Sequence, residues 1–136
     1  MKFPAVPQLS PAELALWLRD SSRPQPVLLD VRNRTEYEMG HLPGARHCGP
    51  GDSVPSILAG VGADLPVVVY CSVGYRSSAL AARMIKAGRH QVANLDGSIF
   101  QWANEGRALE TNNGAAPRVH PYHPWFQPLL VTERKI

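Results

Sequence analysis

Two short apolar runs constrain this chain more than any other feature. Val67-Val68-Val69-Tyr70 is apolar without interruption, and Val27-Leu28-Leu29-Asp30-Val31 is nearly so. Both are bounded by turn residues and both are too short for a helix. An apolar run without alternation marks a strand covered on both faces, the usual state of parallel strands. Parallel strands need a crossover to return the chain to the same end of the sheet, normally a helix. Helical segments do lie between the runs. Ser10-Pro11-Ala12-Glu13 reads as a capping box with proline at the first position, followed by the Leu14, Trp17, Leu18 stripe. Asn33–Glu38 is a second capped turn ended by Gly40, and Leu42-Pro43-Gly44-Ala45 is a turn before a weak strand over Ala45–Cys48. Ser53–Leu58 is a short helix. Ala79–Ala87 is a longer one, with Gly88 where a C-terminal cap belongs. Gln91–Leu95 reads as the last strand, followed by Gly97 and a helix over Ser98–Asn104 closed by Gly106. The alternation predicts an α/β domain with a mostly parallel central sheet and helices on both faces.

The 136 residues suffice for one such domain, here residues 1–110. With 44% hydrophobic and 18% charged residues the chain is not disordered as a whole. No stretch approaches the roughly 18–20 apolar residues of a membrane span. Met1–Pro11 holds three prolines and no apolar core of a secretory signal, so the expected location is the cytoplasm. The net charge of +3 comes from cations scattered between Lys2 and Lys135, without the clustered stripe of a nucleic-acid partner. Residues 111–136 form a different segment. Pro117, Pro121, Pro124 and Pro128 break regular structure there, yet Tyr122, Trp125, Phe126, Leu129 and Leu130 are too apolar for water. This tail is expected to pack on the domain or on a second copy, as in a homodimer. His120 and His123 resemble a metal pair only loosely, because Pro121 and Pro124 deny them a helix, and no metal site is expected.

Chemistry concentrates where the stronger strand ends. Ligands of open α/β sheets bind beyond the carboxyl ends of the strands, and Cys71 stands there, opening the polar stretch Cys71-Ser72-Val73-Gly74-Tyr75-Arg76-Ser77-Ser78. A thiol reacts as its thiolate. Three features favour that form: backbone N–H groups of Ser72–Ser77 able to converge as an anion nest, the N-terminus of the following helix, and the charge of Arg76. Packing alone does not call for such a loop. Four residues separate Cys71 from Arg76, one fewer than in the Cys-x5-Arg loop of tyrosine-type phosphatases. The position at the longer spacing is Ser77, which cannot clamp a phosphate. The smaller ring suits a smaller centre, such as a sulfur carried on the cysteine.

With these residues in view, the chain resembles the single-domain rhodaneses, a family of sulfurtransferases, over roughly Ser10–Leu109. The resemblance rests on Leu29-Asp30-Val31-Arg32 with Glu36-Tyr37-Glu38-Met39-Gly40-His41-Leu42-Pro43-Gly44-Ala45, on the loop Cys71–Ser77, and on Asn94-Leu95-Asp96-Gly97-Ser98 leading to Trp102. Ser98 departs from the second glycine common in the family. The resemblance implies a parallel sheet and a Cys71 persulfide. A sulfane sulfur would pass from thiosulfate or a persulfide donor to a thiol or cyanide acceptor, with a protein acceptor possible. No metal or organic cofactor is needed. Arg76 would attract an anionic donor and the amides of Ser72, Val73, Gly74, Tyr75, Arg76 and Ser77 would hold the persulfide. Ser72, Tyr75 and Ser77 would shape the mouth. Asp30 and Arg32 belong to a signature that supports the site from the neighbouring strand, more simply as a structural ion pair.

Other classes fit less well. A cysteine–histidine hydrolase needs a base beside the thiol, and His41, His47 and His90 have no spacing that marks them. Cys48 could resolve a Cys71 persulfide into a disulfide, although a lone cysteine near a strand is more simply a small core residue. A rhodanese fold used as a binding or sensor module would not require the intact Cys71 loop.

Overall fold

The computed structural model describes residues 5–49 and 51–115. The tail with Tyr122, Trp125 and Phe126, and the His120–His123 pair, lie outside the described residues. Five parallel strands form one sheet: β1 (Gln8–Leu9), β2 (Val27–Asp30), β3 (Arg46–His47), β4 (Val67–Tyr70) and β5 (Val92–Leu95), in the spatial order β1-β5-β4-β2-β3. Four helices connect them, α1 (Pro11–Arg19), α2 (Arg34–Met39), α3 (Val54–Leu58) and α4 (Tyr75–Lys86), and α5 (Ser98–Asn104) follows β5.

The two apolar runs lie side by side at the centre. Val27 pairs with Val67 and Asp30 with Tyr70, and every residue of β2 and β4 is buried. Alternation then divides the core. Leu28, Val68 and Tyr70 face Leu14 of α1 and Ile99, Phe100 and Trp102 of α5. Val27, Leu29, Val67 and Val69 face Leu80, Ala81 and Met84 of α4, with Ile57 of α3 packed alongside. Helices therefore cover both faces, as expected. The same two-residue period places Cys71 on the α4 face, in the cluster with Val69 and Leu80.

Local signals set most element ends. Ser10 accepts from the Glu13 N–H at 3.1 Å while Glu13 accepts from the Ser10 N–H at 2.9 Å, a complete capping box. Asn33 and Glu36 repeat the arrangement at α2. One end differs from the sequence expectation. The polar stretch does not run to Ser78 before a helix at Ala79: α4 begins at Tyr75. Gly74 makes this possible by adopting φ +111°, a left-handed conformation open to a residue without Cβ. Its carbonyl then accepts from Ser78 N–H at 3.0 Å, opening the helix directly.

Two further features carry no clear local signal. β1 is only two residues long, yet Pro7 and Leu9 carbonyls accept from Asn94 and Asp96 N–H groups at 2.9 and 2.8 Å. Beyond α5 an antiparallel hairpin, β6 (Glu110–Thr111) with β7 (Gly114–Ala115), is fastened to His41 through reciprocal backbone bonds with Glu110 of 2.9 and 2.8 Å.

Asp30 and Arg32 form a buried ion pair at the end of β2. Arg32 Nη2 donates to Asp30 Oδ2 at 2.7 Å and to the Gly40 carbonyl at 2.6 Å, and Arg32 Nε reaches Asp30 Oδ1 at 3.0 Å. Burial alone would pull the arginine pKa down, but the hydrogen bonds and charge of Asp30 hold it above its ordinary value. The pair ties the end of α2 to the end of β2. Removing one partner from a buried pair strands the other charge, at about 3–5 kcal/mol. Arg32→Ala is therefore expected to lower the free energy of unfolding by that amount in urea titrations, and a loss under about 1 kcal/mol would contradict the assignment.

Candidate active site

Cys71 follows the central strand β4, and its sulfur lies at the N-terminus of α4. Gly74 N–H donates to Cys71 Sγ at 3.1 Å, and Ser77 Oγ lies 3.4 Å from the same sulfur. The first N–H groups of a helix have no partner within it and carry a partial positive charge. The loop thus brings its sulfur to the end of a helix that favours an anion. Of the amides expected to converge over Ser72–Ser77, that of Gly74 donates to the sulfur, and Tyr75, Arg76 and Ser77 form the first helical turn rather than loop.

The opposite side of the loop is held as firmly. Cys71 and Ser72 carbonyls accept from the Ile99 and Phe100 N–H groups of α5, at 3.1 and 3.2 Å. α5 has no side-chain cap of its own, so the loop carbonyls take that role. Ser98 Oγ accepts from Cys71 N–H at 3.2 Å and donates to the Leu95 carbonyl at 3.2 Å. Ser98 adopts φ +52°, the left-handed conformation expected of the glycine it replaces in the resemblance.

The structure gathers every predicted loop residue at one place. Cys71 is only 1% exposed, and Ser72 and Ser77 are buried beside it. Val73 and Tyr75 are exposed and form the rim. Arg76 is half-buried, with Nη2 3.5 Å from Ser72 Oγ. Asp30 and Arg32 occupy the adjacent strand end and bond to each other as an ion pair, and Arg32 also donates to the Gly40 carbonyl.

Four supporting residues carried no assigned role in the sequence. Glu36 is buried and divides its carboxylate: one oxygen completes the α2 capping box, and the other accepts from Ser72 Oγ at 3.4 Å. Asn94, a buried amide on β5, lies within hydrogen-bonding reach of the Ser77 hydroxyl and donates to Gln8 Oε1 at 2.8 Å. Ser98 is the third and Gln8, from β1, the fourth. A polar side chain inside an apolar strand is the signal that could have pointed to Asn94, because burial without a partner is costly.

Cys48 is also buried, with its Sγ 3.7 Å from the Asp30 carbonyl. Burial, reinforced by the charges of Asp30 and Asp52, pushes its thiol up to about 12. It is therefore a poor nucleophile near neutral pH. A thiol whose pKa is raised on folding stabilises the native state below its unfolded value and loses that contribution as pH rises towards the folded one. The native protein is expected to lose stability between about pH 9 and 12, and Cys48→Ala to flatten part of that slope. An unchanged slope in pH-dependent urea titrations would contradict this.

The family model of the rhodanese-like domain matches residues 10–105. A thiosulfate sulfurtransferase GlpE from Pseudomonas putida is 35% identical over 106 residues, covering 78% of this chain and 93% of its own length. The crystal structure of a rhodanese-like domain protein from Staphylococcus aureus is 25% identical, with a TM-score of 0.65 over 79% of this chain and 99% of that one. A protein of unknown function from Rhodopseudomonas palustris, described as a possible tyrosine phosphatase, shares the fold with a TM-score of 0.68 at 24% identity, over 79% of this chain and 86% of that one. With the family match covering more than half of the chain and falling on the strands and loops that build the Cys71 site, this protein belongs to the rhodanese-like domain family.

Proposed function

We propose that this protein is a sulfurtransferase that carries a sulfane sulfur on Cys71, taking it from thiosulfate or a persulfide donor and handing it to a thiol or cyanide. The observation that carries the proposal is the position of Cys71 Sγ, 3.1 Å from the Gly74 N–H at the start of α4. The Cys71 thiolate attacks the outer sulfur of thiosulfate. A Cys71 S–S bond forms, the S–S bond of thiosulfate breaks, and sulfite leaves with the electron pair. An acceptor thiolate or cyanide then attacks the terminal sulfur and returns Cys71 to its thiolate. Charge and atoms balance in both steps without a metal or a redox cofactor.

The chain's own residues supply position and field. The α4 terminus stabilises negative charge at Cys71 and on the persulfide. Arg76, on the first turn of that helix, attracts the anionic donor. Cys71 lies below the rim formed by Val73 and Tyr75, so a small donor is favoured. The family and its thiosulfate sulfurtransferase relatives support the reaction class. A cytoplasmic setting and a protein acceptor belong to the same proposal.

The burial of Cys71 favours one other reading, a rhodanese-fold binding or sensor module with little turnover. Mass spectrometry separates the two. Exposure to thiosulfate should add one sulfur, about 32 Da, to the wild-type protein and none to Cys71→Ser. Cys71→Ser should also reduce thiosulfate:cyanide turnover to background while preserving the fold by circular dichroism. A wild-type protein that gains no sulfur is the binding module.

Arg76 makes a separate prediction. Arg76→Ala should lower kcat/KM for thiosulfate about tenfold to a hundredfold, the scale of a charge-assisted hydrogen bond, and leave an uncharged persulfide donor far less affected. Arg76→Lys should recover part of the loss. Equal losses with both donors would show that Arg76 only holds the loop.

A further inference from the structure

Two of the donors that reach Cys71 Sγ differ in kind. The Gly74 N–H at 3.1 Å is fixed by the backbone and serves the sulfur in every state. The Ser77 hydroxyl at 3.4 Å turns about a single bond. It has one proton for three acceptors: Cys71 Sγ, the Gly74 carbonyl at 3.3 Å and Asn94 Oδ1. Asn94 is wholly buried on β5, and its amide can face only one way. Both protons of its nitrogen are engaged, by Gln8 Oε1 at 2.8 Å and by the Leu95 carbonyl at 3.2 Å. Its Oδ1 therefore faces Ser77 and can only accept. The hydroxyl thus has two resting places. It donates to Sγ when Sγ is negative, because a bond to a charge is the stronger one, and to Asn94 when Sγ is neutral.

Resting on the reading of Cys71 as a sulfur carrier, we propose that Ser77 is a catalytic residue of the discharge step, the hydrogen-bond donor to Sγ as leaving group, and that Asn94 is the positioning residue to which its hydroxyl returns. On the persulfide the negative charge sits on the outer sulfur and Sγ is neutral, so the hydroxyl rests on Asn94. Cyanide attacks the outer sulfur. The C–S bond forms, the S–S bond breaks, and its electron pair goes to Sγ as thiocyanate departs. The hydroxyl turns to Sγ as that charge develops and stabilises it, with no proton transferred. Loading runs the exchange backwards. As Sγ gives its electron pair to the outer sulfur of thiosulfate, its charge falls and the hydroxyl goes back to Asn94. The amide thus keeps the donor from holding the thiolate too firmly to attack. Gln8, exposed on β1, fixes the amide in place.

The test separates the two half-reactions in the full-length protein, following the gain of sulfur from thiosulfate and its loss to cyanide by rapid quenching and intact-mass spectrometry. Ser77→Ala should slow discharge about tenfold to a hundredfold, the scale of a hydrogen bond to a charge, and loading by less. Asn94→Leu should do the opposite: loading slows about threefold to tenfold, the scale of a neutral hydrogen bond, and discharge does not. Ser77→Ala/Asn94→Leu should match Ser77→Ala, because Asn94 acts through the hydroxyl. Gln8→Leu, at an exposed position, should give a smaller loss in loading and keeps this arm readable if Asn94→Leu fails to fold. Nuclear magnetic resonance reads the exchange without sulfur chemistry. When pH ionises Cys71, the Asn94 side-chain amide resonances should shift in wild type and not in Ser77→Ala or Cys71→Ser. The other groups around the sulfur are Tyr75 and Arg76 on α4, Glu36 of α2 through Ser72 Oγ, the Asp30–Arg32 pair at the end of β2, and Cys48 in the same apolar cluster. β5 and α5 carry no titratable side chain. Cys71→Ser keeps all of those groups, so a shift that survives in it belongs to them and overturns the proposal. Variants that slow both half-reactions alike, or losses that add in the double variant, overturn it too. If the amide responds as expected but wild type gains no sulfur, the sulfur-carrier reading fails and the exchange of the hydroxyl stands apart from it.

Discussion

The site depends on which way the peptide groups of one short loop face. A loop that cradles an anion must turn its N–H groups inward and therefore its carbonyls outward, into the protein. Buried carbonyls need donors. α5 provides them: the N–H groups of Ile99 and Phe100 meet the carbonyls of Cys71 and Ser72. Two helix N-termini thus serve one loop from opposite sides. α4 offers its field to the sulfur, and α5 spends its free donors on the carbonyls that the first arrangement displaces. Neither helix needs a side-chain cap, and neither has one.

The hydroxyl of Ser77 links the sulfur to the sheet. It lies within reach of Cys71 Sγ, the Gly74 carbonyl and Asn94 Oδ1, but it has a single proton. While that proton is on Asn94, a Cys71 thiol can donate to Ser77. When Cys71 is a thiolate, the same hydroxyl can turn and donate to sulfur. Asn94 is held by Gln8 on β1, so the edge strand fixes the amide against which the hydroxyl turns. This accounts for a two-residue strand at the end of the sheet whose side chain reaches towards the loop.

Much of this was legible in the sequence because it rests on local rules. The capping box at Ser10, the capped turn after Asn33, the two buried strands and the place of Cys71 at a strand end follow from residue types and spacing. The start of α4 did not, since Tyr75-Arg76-Ser77-Ser78 shows no apolar stripe and Gly74 reads as loop. Only the need to bring a helix end to the sulfur explains why the helix begins there. β1 was hidden for another reason. Two residues between Pro7 and Ser10 have no periodicity, and their conformation is decided by β5, some 85 residues away in sequence. Asn33–Glu38 was visible as a capped turn, but the reach of a Glu36 carboxylate oxygen to Ser72 is a tertiary fact.

Ser98 shows how the competing demands at the loop are balanced. Its φ of +52° suits glycine better than serine. Holding a non-glycine residue there costs of order 1–3 kcal/mol. A glycine would avoid that cost but would remove the acceptor now facing the Cys71 N–H, and a buried donor without a partner costs about 1–3 kcal/mol. The two penalties are of similar size. Serine accepts the strain and satisfies the amide, and its own proton goes to the Leu95 carbonyl, so the exchange leaves no polar atom of the hydroxyl without a partner. The benefit falls on position more than on stability. The hydroxyl fixes the Cys71 peptide at the point where β4 becomes the loop, and through it the direction in which Sγ meets the end of α4. A departure from the expected glycine is thus tolerated because it exchanges one backbone constraint for another on the same residue.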